Sequence, residues 1–117
     1  MENFIKNIES FEHLNDTIKK EEAVLVYFSH EQCNVCKVLK PKVAEMLQKN
    51  FPKVNMVYSD TVKIPEAAGQ NRVFAVPTIV IYFDGREYIR ASRNISVEDL
   101  QRQINRPYEL MFDTAEL

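Results

Sequence analysis

The sequence predicts a three-layer α/β domain, a central mixed β-sheet flanked by helices, and two observations carry that prediction. Strand-like and helix-like stretches alternate along the chain, which then closes with a hairpin and a helix. Two of the strand-like stretches, "AVLVYF" at 23–28 and "TIVIYF" at 78–83, are apolar without interruption, as strands covered on both faces are.

The elements follow in order. "FIKNI" at 4–8 predicts a short first strand. Ser10 can cap a helix whose Phe11, Leu14 and Ile18 fall on one face. The strand at 23–28 leads to Cys33, after which Val35, Val38, Leu39, Val43, Met46 and Leu47 are expected to line one side of a helix running to about Asn50. "FPK" at 51–53 ends that helix, and "VNMVY" at 54–58 is the next strand. Pro65 suits the first turn of a short helix through "PEAAGQ". After the strand at 78–83, Asp84-Gly85 signals a tight hairpin into "REYI". Ser96 and Asp99 form a capping box for a last helix with Val97, Leu100 and Ile104 on its inner face. The domain is placed at 1–107. Residues 108–117 form a tail whose Tyr108, Leu110, Met111 and Phe112 are too apolar to hang free and are expected to pack back on the domain, with a partner contact as the alternative.

The totals exclude several function classes. A chain of 117 residues, 45% apolar and 27% charged, is one globular domain with its own core. A net charge of −2 with scattered basic residues gives nucleic acid no electrostatic foothold. No apolar run approaches the roughly 20 residues a membrane helix needs. "MENFIKNIESF" has neither the basic nor the apolar region of a secretory signal, so a cytoplasmic location is expected.

The chain has two cysteines, Cys33 and Cys36, where an apolar strand gives way to a helix. In a reducing compartment such a pair points to redox or metal chemistry rather than a structural staple. Helix N-termini present unpaired N–H groups and partial positive charge, which favour a thiolate. Lys37 adds a positive charge nearby. Cys33 is therefore assigned as the attacking nucleophile and Cys36, one turn deeper, as the resolving thiol. Two alternatives stand beside this: a metal site using His30 with both cysteines, for which zinc's usual four ligands are lacking, and a pair of inert core cysteines. The reading expects no resident metal and no cofactor.

Together these pieces resemble the thioredoxin family. The apolar run before the cysteines, Cys33-x-x-Cys36-Lys37, Pro41 in the following helix, Val76-Pro77-Thr78 and the "YFDG" hairpin occur in the family's order and at nearly its spacing. The resemblance implies the thioredoxin fold, with Pro77 in cis beside the dithiol and the backbone of Val76 hydrogen-bonding a substrate chain. It also implies disulfide-containing client proteins, with an NADPH-linked reductase or glutathione as electron source.

The departures from the family pattern bear on mechanism. Asn34-Val35 stands between the cysteines where Gly-Pro is usual, which implies a more oxidising potential. Ser29 and Gln32 occupy the positions of two aromatic neighbours, and the chain has no tryptophan. Tyr27 falls where the family has a buried aspartate that helps deprotonate the resolving cysteine, and Tyr58 falls near that acid's lysine partner. Losing both is coherent, because either alone would strand a buried charge. His30 and Glu31 are the candidate replacement bases. Arg93 aligns with a glycine that borders the family's groove, and with Arg90 nearby it could favour an anionic partner. The functional expectation is a thiol–disulfide oxidoreductase that reduces protein disulfides. The alternative is a binding module of the same fold with slow or vestigial redox activity.

Overall fold

A computed structural model describes residues 4–113. The sheet has five strands: β1 (Ile5–Asn7), β2 (Ala23–Ser29), β3 (Asn55–Asp60), β4 (Thr78–Phe83) and β5 (Arg86–Ser92). Their order is β1-β3-β2-β4-β5, with β1, β3 and β2 parallel and with β4 and β5 each antiparallel to its inner neighbour. Asp84 and Gly85, at φ 55° and 76°, make the hairpin turn between β4 and β5, a conformation that suits a two-residue loop.

Alternation along β2 divides the core into two layers. Leu25 and Tyr27, with Ile79 and Ile81 of β4, face helices α2 (Asn34–Asn50) and α4 (Val97–Tyr108). Val24, Val26 and Phe28, with Val80 and Tyr82, face α1 (Phe11–Lys20) and α3 (Pro65–Gln70). The three-layer prediction therefore stands. Ser10 and Ser96 cap α1 and α4 by accepting from the N–H of His13 and Asp99.

Some details differ from the expectation. Val35 and Val38 are 64% and 60% exposed. The buried stripe of α2 is Cys36, Leu39, Val43, Ala44, Met46 and Leu47, and a helical turn of 3.6 residues leaves positions 35 and 38 outside it. The last helix also continues through Pro107 to Tyr108, and a short π-helical turn (Glu109–Asp113) follows. Tyr108 packs edge-on against Phe51, with ring centroids 5.0 Å apart, and its hydroxyl accepts the Lys53 N–H at 3.3 Å. Phe112 lies against Tyr108 at 4.8 Å, and Met111 also packs on this layer. Leu110, grouped with them from sequence, is exposed instead. Residues 1–3 and 114–117 of the domain and tail assignments lie outside the described residues.

Candidate active site

Helix α2 begins directly above the carboxyl ends of β2 and β3, and Cys33 is its N-cap. Extended backbone at Cys33 turns its side chain back over the helix, so that Sγ accepts the N–H of Cys36 at 3.2 Å. The two cysteines are joined as a disulfide. Cys33 is partly exposed, whereas Cys36 is 1% exposed. The local sequence gives this arrangement its shape, because the N–H of Cys33 donates to His30 O, closing a tight turn before the helix.

Tyr27 lies beneath Cys36. It is fully buried, and its hydroxyl donates to the carbonyl of Cys36 at 2.7 Å. Tyr58 is its register partner across the parallel strands, with the ring centroids 6.4 Å apart and the planes inclined by 25°. Two stacked phenols thus occupy the positions where the resemblance implied an acid and a lysine. Lys40 Nζ lies 4.0 Å from the centre of the Tyr58 ring, a cation–π contact. Burial, and then the neighbouring Tyr58, pushes the Tyr27 hydroxyl well above the usual tyrosine range. Burial also raises Tyr58, against a hydrogen bond from Ser29 that lowers it. Neither phenol can serve as a base near neutral pH.

The candidate bases have other partners. His30 Nδ1 accepts the N–H of Gln32 at 3.2 Å, and exposed Glu31 pairs with Lys63 at 3.7 Å. His30, Glu31 and Lys37 all border a pocket of about 620 Å³ that reaches Cys36. Ser29 also lines it, where the family's aromatic side chain would stand, and so does Asp60, which the sequence reading passed over. Extending the strand at 54–58 by two residues would have found Asp60, since the period of two puts it on the face of Tyr58. Among the described residues, no three His, Cys, Asp or Glu side chains meet as a metal site would require.

On the other side of the disulfide, the Val76–Pro77 peptide bond is cis. Arg93 donates its N–H to Pro77 O at 2.8 Å, and Thr78 Oγ1 donates to Ala75 O at 2.6 Å, tying this loop to β5 and to itself. Among the described residues the backbone of Val76 takes no partner, which leaves it available to a bound chain. Val76 and Cys33 pack against the same core layer. Arg93 has φ 65°, the left-handed region that favours glycine, which accounts for the family's residue there. Phe74, 85% exposed and two residues before Val76, is a further apolar group beside this loop that the sequence reading did not single out.

The buried tyrosines make a pH prediction. Tyr82, in the other layer, is pushed up to about 12 by burial and then by the Glu87 charge. Above pH ~10 the unfolded chain loses tyrosine protons that the folded chain retains, so the unfolded state binds fewer protons and stability falls as the pH rises toward each folded value. Tyr82 alone should cost about 3 kcal/mol across that window, and Tyr27 should extend the loss. Urea unfolding followed by circular dichroism should give a clearly lower midpoint near pH 11 than near pH 8; equal midpoints would contradict the assignment.

The comparisons with known proteins agree with this architecture. The thioredoxin family model matches residues 5–106. "Thioredoxin-like protein YdfQ" of Bacillus subtilis is 28% identical over 103 residues, covering 88% of this chain and 91% of that protein. "Thioredoxin-2" of Pyricularia oryzae is 30% identical over 83 residues, 71% of this chain, and the match spans 48% of that protein's length. The X-ray structure of Fasciola hepatica thioredoxin superposes with a TM-score of 0.76 at 31% identity, covering 86% of this chain and 97% of that one. With its cysteine pair at the start of α2 and its five-stranded sheet between helices, this chain belongs to the thioredoxin family.

Proposed function

We propose that this protein reduces disulfides in client proteins by dithiol exchange. The observation that carries the proposal is the asymmetry of the pair, in which Cys33 is reachable and its Sγ faces the N–H of Cys36, while Cys36 itself is enclosed. In the reduced protein that N–H and the helix terminus favour a Cys33 thiolate. The thiolate attacks one sulfur of the client disulfide, the client S–S bond breaks and the second client sulfur leaves as a thiolate. Cys36 then loses its proton and attacks Cys33 Sγ. The Cys33–Cys36 bond forms and the first client sulfur is released. The client chain lies along Val76 and cis-Pro77, with Arg93 at the groove's edge suited to an acidic neighbour of the client cysteine. Two electrons from an NADPH-linked reductase or from glutathione restore the dithiol. A reducing compartment such as the cytoplasm would hold the pair in the form this direction of exchange needs.

The alternative is a partner-binding module with vestigial redox activity, and the exposed Phe74, Val35 and Val38 fit it. A trapping experiment separates the two. The Cys36→Ser variant, mixed with a disulfide-bonded substrate such as insulin, should accumulate a covalent adduct through Cys33 that dithiothreitol dissolves. No adduct from a folded variant would sink the exchange reading in favour of binding.

A further inference from the structure

Resolution requires Cys36 to give up a proton, and the phenols on its side of β2 and β3, buried Tyr27 and half-buried Tyr58, hold theirs. One carboxylate is buried among the described residues, Asp60, at 7% exposure. It ends β3, two residues beyond Tyr58 on the same strand face, and is the register partner of Ser29 at the end of β2. Asp60 Oδ1 accepts the N–H groups of Val62 and Lys63 at 2.9 and 3.0 Å. Among the described residues no donor reaches Oδ2. Asp60 and Cys36 both line the 620 Å³ pocket, as do Ser29 and Tyr58. A pocket this large and this polar admits water. A bulky aromatic at position 29 would occupy that space, whereas serine leaves it open.

We propose that Asp60 receives the proton that Cys36 releases, through the pocket opened by Ser29. This rests on the exchange reading above and places the proton acceptor at the end of β3, in a chain whose β2 carries a phenol instead of an acid. In the resolving step the Cys36 thiol passes its proton through pocket water to the Asp60 carboxylate. The resulting thiolate attacks Cys33 Sγ, and the client sulfur leaves with the electron pair of the broken bond. Other charged and titratable groups face the pocket. Lys37 and Lys40 on α2 and Lys63 beyond β3 also line it, with Lys40 over the Tyr58 ring and Lys63 paired with Glu31. Tyr58 stays protonated. Glu31 is paired with Lys63, His30 is engaged by Gln32, and Glu9 lies exposed on the connection from β1 to α1. Asp60 is thus the buried base of the set.

A stopped-flow reaction of the reduced protein with excess chromogenic aromatic disulfide tests this. The first aromatic thiolate is released as Cys33 attacks, and the second as Cys36 resolves. In Asp60→Asn, which keeps an oxygen to accept from Val62 and Lys63, the second release should slow by about 100-fold at neutral pH. The deficit should shrink as the pH passes the ordinary thiol value of about 8.5, where Cys36 ionises unaided. Ser29→Leu, which fills the pocket and spares the carboxylate, should produce the same pH-dependent lag, and Asp60→Glu should recover part of the rate. An unchanged second release in Asp60→Asn, or slowing by one factor at every pH in both variants, would overturn the relay while leaving exchange intact. Absence of both releases from the unmodified protein would overturn the exchange reading, and the relay with it.

Discussion

Replacement of Cys33 by serine should reduce disulfide exchange by about 10³-fold or more, the scale expected when a nucleophile is removed. Cys36 cannot substitute, because it is 1% exposed and sits one helical turn inside the N-cap. The matching Cys36→Ser variant should behave differently. It keeps the exposed sulfur and the first half-reaction and loses only release. The two variants together test which sulfur attacks, by mass analysis of alkylated adducts and by turnover with a disulfide substrate. Equal residual activity in both would contradict the assignment of roles. A client that still binds the double variant with undiminished affinity would favour the binding module.

Tyr27→Asp should destabilise the oxidised protein by about 4–6 kcal/mol at neutral pH, a large part of the stability of a domain this size. The substitution removes a fully buried ring stacked on Tyr58 and a hydroxyl bonded to Cys36 O. It also leaves a carboxylate facing another phenol instead of a cation. Burial would hold that carboxyl above its unfolded value of about 3.9. Below that pH both states are protonated and the charge penalty vanishes. Above it the unfolded chain ionises first, and stability falls until the folded group ionises too. Adding Tyr58→Lys, at the paired position on β3, should return about 1–3 kcal/mol beyond additivity. Urea unfolding at two pH values reads all of this. A single variant as stable as the unmodified protein, or one with no pH dependence, would show that position 27 is not the enclosed site described.

Much of this is legible in the sequence. The β2 and β4 runs, the capping serines and the Asp84-Gly85 turn are local signals, and the chain follows each of them. The cysteine pair at a helix start carried the chemistry for the same reason, since a helix N-terminus acts on whatever side chain caps it. Residues whose roles depend on register were harder to see. Val35 and Val38 look like core by hydropathy, but Cys36 and Leu39 set the phase of α2 and turn them outward. Tyr108 reads as the start of a tail because the amphipathic face of the last helix is read only through Val97, Leu100 and Ile104. Yet Phe51 and Phe112 receive its ring, and the helix runs on to reach them. Asp60 escapes a reading of the sequence that ends the strand at Tyr58. The pairing of Ser29 with Asp60 brings a buried carboxylate and an opening into one pocket with Cys36.

The measurement that tests the central claim most directly is the reduction potential of the Cys33–Cys36 couple in glutathione buffers, read by alkylation and mass. A working exchanger should titrate reversibly with two electrons, at a potential within the range of about −270 to −120 mV spanned by known exchangers. A pair that forms no reversible disulfide, or one that glutathione cannot reduce at any ratio, would contradict it.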